Sequence, residues 1–299
     1  MKRAIVLAAV CLCMALSGCG KDKKLEYVNG EAIALWNSAE EMPYYDSAID
    51  QKVPEITPYI PQDANGIGVV LFPGGGYTQY SSETEGTEIA EAFNAKGISV
   101  FVVEYRLTPY HDRAMISDAA RAVRYVRYFA DEFGIDEDQI TVMGFSAGGH
   151  LALMEMEYAQ DEELEKAGDA IDQESAMPDA GVLCYPVVSM TDEYTHKTSR
   201  ENFLGADNVG NQELIQMYSG EYGVTDQMCP LFLWHCKNDR AVSYENSQIL
   251  ADALEENGVD YELHLYDKGG HGVGLASDNE EVSEWFDRCV EWLQEQYNK

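Results

Sequence analysis

The sequence predicts an α/β fold: a mainly parallel sheet flanked by helices, with a small cap insertion over about residues 189–228. Two observations lead there. From Gly66 onward, short apolar runs rich in Val, Ile and Leu alternate with stretches whose apolar residues recur at helical spacing. Several of the short runs are apolar throughout, which suits strands covered on both faces by helices. With 299 residues, 45% of them hydrophobic, the chain can bury a large core, and no internal repeat or low-complexity tract divides it.

At the N-terminus, Lys2-Arg3, the apolar run Ala4 to Leu16 and Leu16-Ser17-Gly18-Cys19 follow the order of an export signal. The apolar run falls short of the roughly 20 residues that a spanning helix needs. Leu16-Ser17-Gly18-Cys19 resembles a bacterial lipoprotein signal. That likeness implies loss of residues 1–18, lipidation of Cys19 and a membrane-anchored place at the cell surface. An ordinary export signal cut nearby is the other reading, and it leaves the protein soluble outside the cytoplasm. Gly20 to Lys24 then reads as a polar tether, within a lead-in over 19–55 to one domain over 56–299.

The predicted strands are Ile67–Phe72, Ile98–Glu104, Gln139–Met143, Gly181–Val187, Leu231–His235 and Tyr261–Leu265, with Ile56–Ile60 as an edge strand between prolines. Ala119, Ala122, Val123, Val126, Ala130 and Phe133 keep helical spacing and stop at Gly134. Ile249, Leu250, Ala253 and Leu254 do the same and stop at Gly258. Val282, Trp285, Phe286, Cys289, Val290 and Leu293 form one stripe of a C-terminal helix. Asp161 to Asp179 is acidic and weakly patterned, and reads as a solvent-exposed connection.

A formal net charge of −33 excludes binding of nucleic acid by long-range attraction. Beyond the signal and Cys19, four cysteines remain: Cys184, Cys229, Cys236 and Cys289. Cys229 and Cys236 bracket an extended run too long to bridge, and Cys184 and Cys289 sit among apolar residues as buried free thiols. No spacing of Cys or His suggests a metal, and no cofactor is expected.

The chemistry centres on Gly144-Phe145-Ser146-Ala147-Gly148, between a predicted strand and a helix-compatible run. Glycines there let a sharp turn lift a serine hydroxyl clear of the sheet and aim the next N–H, that of Ala147, at a developing oxyanion. A serine nucleophile also needs a base, and a carboxylate to orient that base. Asp239 and His271 follow in that order, each just beyond the C-terminal end of a predicted strand, where open α/β sheets bind ligands. His111, His150, His196, His235 and His264 lie on helices, within strands or out of order, and read as structural or cap residues. Pro73-Gly74-Gly75-Gly76-Tyr77 supplies further backbone donors.

These stretches, with Glu85-Gly86, Tyr105-Arg106-Leu107, Asp118, Arg121 to Arg127, Gly149 to Ala152, Tyr185-Pro186-Val187 and Gly270-His271-Gly272-Val273-Gly274-Leu275, resemble the bacterial acetylesterase and acetylxylan-esterase-like α/β hydrolases from about Ile56 to Leu293. The likeness implies an α/β-hydrolase fold and makes Ser146 the nucleophile, His271 the base, Asp239 the orienting acid, and Gly75, Gly76 and Ala147 the oxyanion donors. Pro73 stands where many broader relatives have histidine, which leaves Gly74 a third candidate donor. Arg106 and Asp118 are either partners bracing the loops or separate surface charges. The implied substrate is a short acyl ester, above all an O-acetyl group on an oligosaccharide or polysaccharide. Aryl-acyl (feruloyl) esterase, prolyl-oligopeptidase-like peptidase and non-catalytic glycan-binding surface lipoprotein are the alternatives. Tyr77, Tyr80, Tyr194, Phe203, Tyr218 and Tyr222 either stack on sugar rings or pack the core and cap.

Overall fold

The computed structural model describes residues 25–298. The export signal, Cys19 and the tether lie outside the described residues. Eight strands form one sheet: β1 (Ile33–Ala34), β2 (Glu55–Tyr59), β3 (Gly68–Phe72), β4 (Ser99–Glu104), β5 (Ile140–Phe145), β6 (Ala180–Cys184), β7 (Leu231–Cys236) and β8 (Tyr261–Tyr266). Their spatial order is β1-β2-β4-β3-β5-β6-β7-β8. The pairings of β1 with β2 and of β2 with β4 are antiparallel, and all others are parallel.

The helices are α1 (Glu88–Asn94), α2 (Asp112–Tyr128), α3 (Ala130–Phe133), α4 (Ala147–Tyr158), α5 (Lys197–Leu204), α6 (Gln212–Met217), α7 (Glu245–Asn257) and α8 (Glu280–Tyr297). They cover both faces of the sheet, and the two-residue period of the strands divides the core accordingly. Val70 and Phe72 of β3 belong to the same buried cluster as residues of α2, α4 and α7, while Val69 and Leu71 belong to the one that holds residues of α1 and α8. Phe101 and Val103 of β4 join the first cluster, and Val100 and Val102 the second. Buried on both sides, the central strands read as unbroken apolar runs.

Three details differ from the sequence expectations. The strand expected over Gly181–Val187 ends at Cys184, because Tyr185 turns to φ +37° and Pro186 follows. The helical stretch that ends at Gly134 is two helices, broken at Phe129, with Gly134 in the left-handed region at φ +68°. The acidic connection 161–179 is not simply solvated. Arg121 of α2 binds Asp169 and Asp172 at 2.6 and 2.9 Å, Arg127 binds Asp179 at 3.1 Å, and Leu164 and Ala176 are buried. The lead-in likewise packs onto the body: Leu35, Trp36 and Met42 are buried.

The winding of the chain reverses around β3. β4 lies on one side of it, and the chain then crosses to β5 on the other, so the switch point where such sheets bind ligands falls beyond the C-terminal ends of β3 and β5. Pairing of Phe72 with Gly144 sets the loop after β3 beside the turn after β5. Helices α5 and α6 lie within the stretch 189–228, where the cap was expected.

Candidate active site

Strand β5 ends at Phe145 and α4 begins at Ala147, leaving Ser146 alone in the turn at φ +53°, ψ −117°. This strained conformation projects the side chain off the end of the sheet. The flanking glycines are required by contact distance. A Cβ on Gly144 would lie 2.1 Å from the Gly148 carbonyl oxygen, and one on Gly148 would lie 2.1 Å from that of Phe72. Two backbone bonds hold the turn against the end of β6: Ser146 N–H donates to Cys184 at 3.0 Å, and Val187 N–H donates to Ser146 at 3.0 Å.

Beyond β7 and β8, two loops bring Asp239 and His271 to the same rim. Ser146 Oγ lies 2.8 Å from His271 Nε2, and His271 Nδ1 lies 2.6 Å from Asp239 Oδ2. Asp239 can only accept when ionised, so the network places the proton on Nδ1 and leaves Nε2 to accept from the serine hydroxyl. Burial pushes the Asp239 carboxyl up, but hydrogen bonds from His235 and His271 and the charge of His271 hold it well below the usual carboxylate range. Its other oxygen accepts the N–H groups of Ala241 and Val242 at 2.8 and 3.0 Å. The carboxylate is therefore fixed as well as charged.

His235, read from the sequence as a structural or cap residue, is part of this arrangement. Its buried Nε2 faces two acceptors, Asp239 Oδ2 at 3.2 Å and the Val242 carbonyl at 3.0 Å, so Nε2 carries the proton. Nδ1 then accepts from Ser247 Oγ at 2.9 Å. The one sequence signal was a histidine four residues before the acid, at the end of an apolar strand.

Peptide planarity orients the loop after β3. In a trans peptide the C=O and the following N–H point in opposite directions. The Gly74 carbonyl accepts from Ser81 N–H at 2.9 Å, which turns Gly75 N–H the other way. The Gly75 carbonyl accepts from Thr78 N–H at 3.2 Å, which does the same for Gly76 N–H. Neither of those N–H groups has a partner among the described residues. Gly74 N–H, by contrast, is taken up by Glu85 Oε2 at 2.9 Å, so Gly74 leaves the set of candidate donors. Ala147 N–H, in the first turn of α4, has no partner within its helix. Three free N–H groups can thus hold a negatively charged oxygen beside Ser146.

Pro73 accepts the Tyr105 hydroxyl on its carbonyl at 2.7 Å. Asn202 of α5 donates to the Gly76 carbonyl at 2.8 Å and ties the loop to the cap. Tyr77 is fully buried, with its hydroxyl 2.7 Å from His150 Nδ1; burial pushes the His150 imidazole down to about 4, so it is neutral. Phe203 and Tyr218 are also core residues, whereas Tyr222 is 59% exposed. His111 Nδ1 meets the Asn202 carbonyl, and His196 Nδ1 meets Ser199 Oγ, both at 2.8 Å.

Arg106 and Asp118 are partners, not surface charges. They meet at 2.6 Å with both side chains fully buried, and Arg106 also donates to the carbonyls of Pro43 and Ala114. The four cysteines within the described residues are free and buried. Among the described residues, no group of three or more His, Cys, Asp or Glu is placed to hold a metal ion, and no helix is long and apolar enough to cross a membrane.

Comparison with known proteins adds to the geometry. A family model described as BD-FAE matches residues 59–254. The chain is 32% identical over 222 residues to an acetylxylan esterase of Xylanibacter ruminicola, covering 73% of this chain and 43% of that protein. It is 34% identical over 218 residues to endo-1,4-beta-xylanase B of Butyrivibrio fibrisolvens, covering 70% of this chain and 33% of that one. The chain thus spans less than half the length of these two curated relatives. Among solved structures, an acetyl ester-xyloside bifunctional hydrolase from Caldicellulosiruptor lactoaceticus superposes with a TM-score of 0.82 at 39% identity, over 89% of this chain and 96% of that one.

Proposed function

The chain belongs to the BD-FAE family and has the α/β-hydrolase fold, and from that premise we propose that it hydrolyses carboxylic esters, removing short acyl groups, O-acetyl above all, from carbohydrates. The observation that carries the reading is the unbroken relay from Ser146 Oγ through His271 to Asp239, at 2.8 and 2.6 Å, beside the free N–H groups of Gly75, Gly76 and Ala147. As the Ser146 oxygen attacks the ester carbonyl, its proton passes to His271 Nε2, and the imidazolium is stabilised by Asp239. The carbonyl oxygen takes up negative charge against the three N–H groups. Collapse expels the alcohol, protonated by His271, and leaves acyl-Ser146. Water, deprotonated by the same imidazole, then releases the acid and restores the enzyme.

The relatives named for acetylxylan and acetyl ester-xyloside hydrolysis support acetylated xylan-type glycans as the substrate class. The Lys2-Arg3 to Cys19 pattern supports export and a lipid anchor, which would set this chemistry at the cell surface.

Two measurements test the reading. A fluorophosphonate probe is expected to label the wild-type protein and not Ser146→Ala. Initial rates on acetyl, butyryl and feruloyl esters are expected to favour acetyl. Unlabelled wild-type protein points instead to a glycan-binding protein, and a strong preference for the feruloyl ester moves the assignment to aryl-acyl esters.

A further inference from the structure

Glu85 belongs to the stretch that carries the sequence resemblance, yet the relay described above gives it no task. The residue is only 2% exposed, and its carboxylate lies between two loops of the candidate site. Oε2 accepts Gly74 N–H at 2.9 Å. Oε1 accepts the Tyr185 hydroxyl at 2.8 Å, and that hydroxyl in turn accepts Gly274 N–H at 3.1 Å. Gly74 opens the loop whose next two N–H groups are the free donors. Gly274 lies three residues past His271, and the Tyr185 ring stands edge-on to the imidazole with centroids 4.9 Å apart.

The local backbone repeats the design. Glu85 N–H donates to Ser81, and Ser81 N–H donates to Gly74, both at 2.9 Å, so Gly74 is gripped through its N–H and its C=O by residues of a single turn. No side chain fits between them: a Cβ on Gly74 would lie 2.7 Å from Glu85 Oε2 and 2.8 Å from the Phe145 carbonyl oxygen. Burial pushes the Glu85 carboxyl up; the bonds from Tyr185 and Gly74 and the charge of His271 oppose that rise. A buried carboxylate costs folding energy that a neutral acceptor would not.

We propose that Glu85 is a positioning residue for ester hydrolysis: one carboxylate fixes the donor loop against Ser146 and, through Tyr185, seats the loop and ring of His271. The two halves of the site are otherwise carried by strands that do not touch, β3 and β8, with three strands between them. The Glu85–Tyr185 pair bridges that span above the sheet. Displacement of either half by about 1 Å costs on the order of a hundredfold in rate. The bridge acts on the transition state, where donors and base must both be in place, and hardly on the bound ester.

The inference rests on the ester-hydrolase reading, and the experiment separates the two. Wild type, Glu85→Gln, Tyr185→Phe and the double variant are assayed with 4-nitrophenyl acetate, with thermal melts to establish folding. Glu85→Gln keeps the shape and one acceptor, and Tyr185→Phe keeps the ring packing. Each is expected to lower kcat about ten- to a hundredfold with KM within threefold. The double variant is expected to lose little more than the worse single one, since both cut the same bridge. A kcat for folded Glu85→Gln within threefold of wild type, a loss confined to KM, or a double-variant loss equal to the product of the singles overturns the proposal. If Glu85→Gln does not fold, Tyr185→Phe carries the same criterion alone. Wild-type protein without turnover overturns the ester-hydrolase reading, and this inference with it; wild-type turnover with unimpaired variants overturns this inference only.

Discussion

Replacing Gly148 by alanine puts a methyl carbon 2.1 Å from the Phe72 carbonyl oxygen and 2.6 Å from that of Pro73. Ordinary contact begins near 3.4 Å, so the first turn of α4 and the end of β3 must part by the difference, about 1.3 Å. Neither neighbour is a flexible side chain that could swing away. Phe72 and Pro73 lead directly into the glycine loop, and Gly148 follows Ser146 by two residues, so the separation opens between Ser146 and the free N–H groups of that loop. Misplacement of about 1 Å costs on the order of a hundredfold in kcat, and overpacking costs about 1–3 kcal/mol of stability. The assay is kcat and KM on 4-nitrophenyl acetate together with a thermal melt, for wild type, Gly148→Ala and Gly134→Ala. Gly134 also has a special backbone, φ +68°, but open space around it, so its alanine variant is expected to lose about 1–2 kcal/mol of stability and no kcat. A folded Gly148→Ala enzyme with kcat within threefold of wild type would refute the link between that contact and catalysis.

Two other variants probe buried polar groups. His235→Leu removes the N–H that holds Asp239 from below, and kcat is expected to fall about ten- to a hundredfold, the worth of one hydrogen bond to a charged group, with KM little changed; equal kcat values show the contact to be idle. Glu155 is fully buried with neither carboxyl oxygen partnered, and burial raises its carboxyl from 4.5 to about 8, against a weaker downward pull from Arg124 and Arg127. Between those values the folded state keeps a proton that the unfolded chain has released, so this group's contribution to stability falls as pH rises. Glu155→Gln is expected to melt higher than wild type by an amount that grows from pH 5 to pH 8; a constant gap across that range contradicts the assignment.

The strands and the main helices were legible because their signals are local. Val69 to Phe72 and Val100 to Val103 are apolar on both faces, and Gly134 and Gly258 mark helix ends through their own backbone freedom. Strand β1 was not legible: two residues have no period, and Ile33 and Ala34 extend only because β2 offers an edge. The arginines of α2 were visible, but their partners Asp169, Asp172 and Asp179 lie about fifty residues on, and nothing local marks that acidic stretch as folded. In the site, Ser146, Asp239 and His271 could be picked out because chain order and turn glycines constrain them. His235 could not, since a histidine inside an apolar strand reads as core until the loop after it is seen to fold back. The donor loop was legible as glycines, but the choice among them needed carbonyl partners that only coordinates provide.

Tyr27 packs edge-on against Phe133 with ring centroids 5.0 Å apart, just upstream of the residues that open β5. The first described residues therefore join the body at the pole where the parallel strands begin, while Ser146 sits at the pole where they end. Anything that holds this protein by its N-terminal segment takes hold of the far pole. Ser146 then lies at the pole away from that hold.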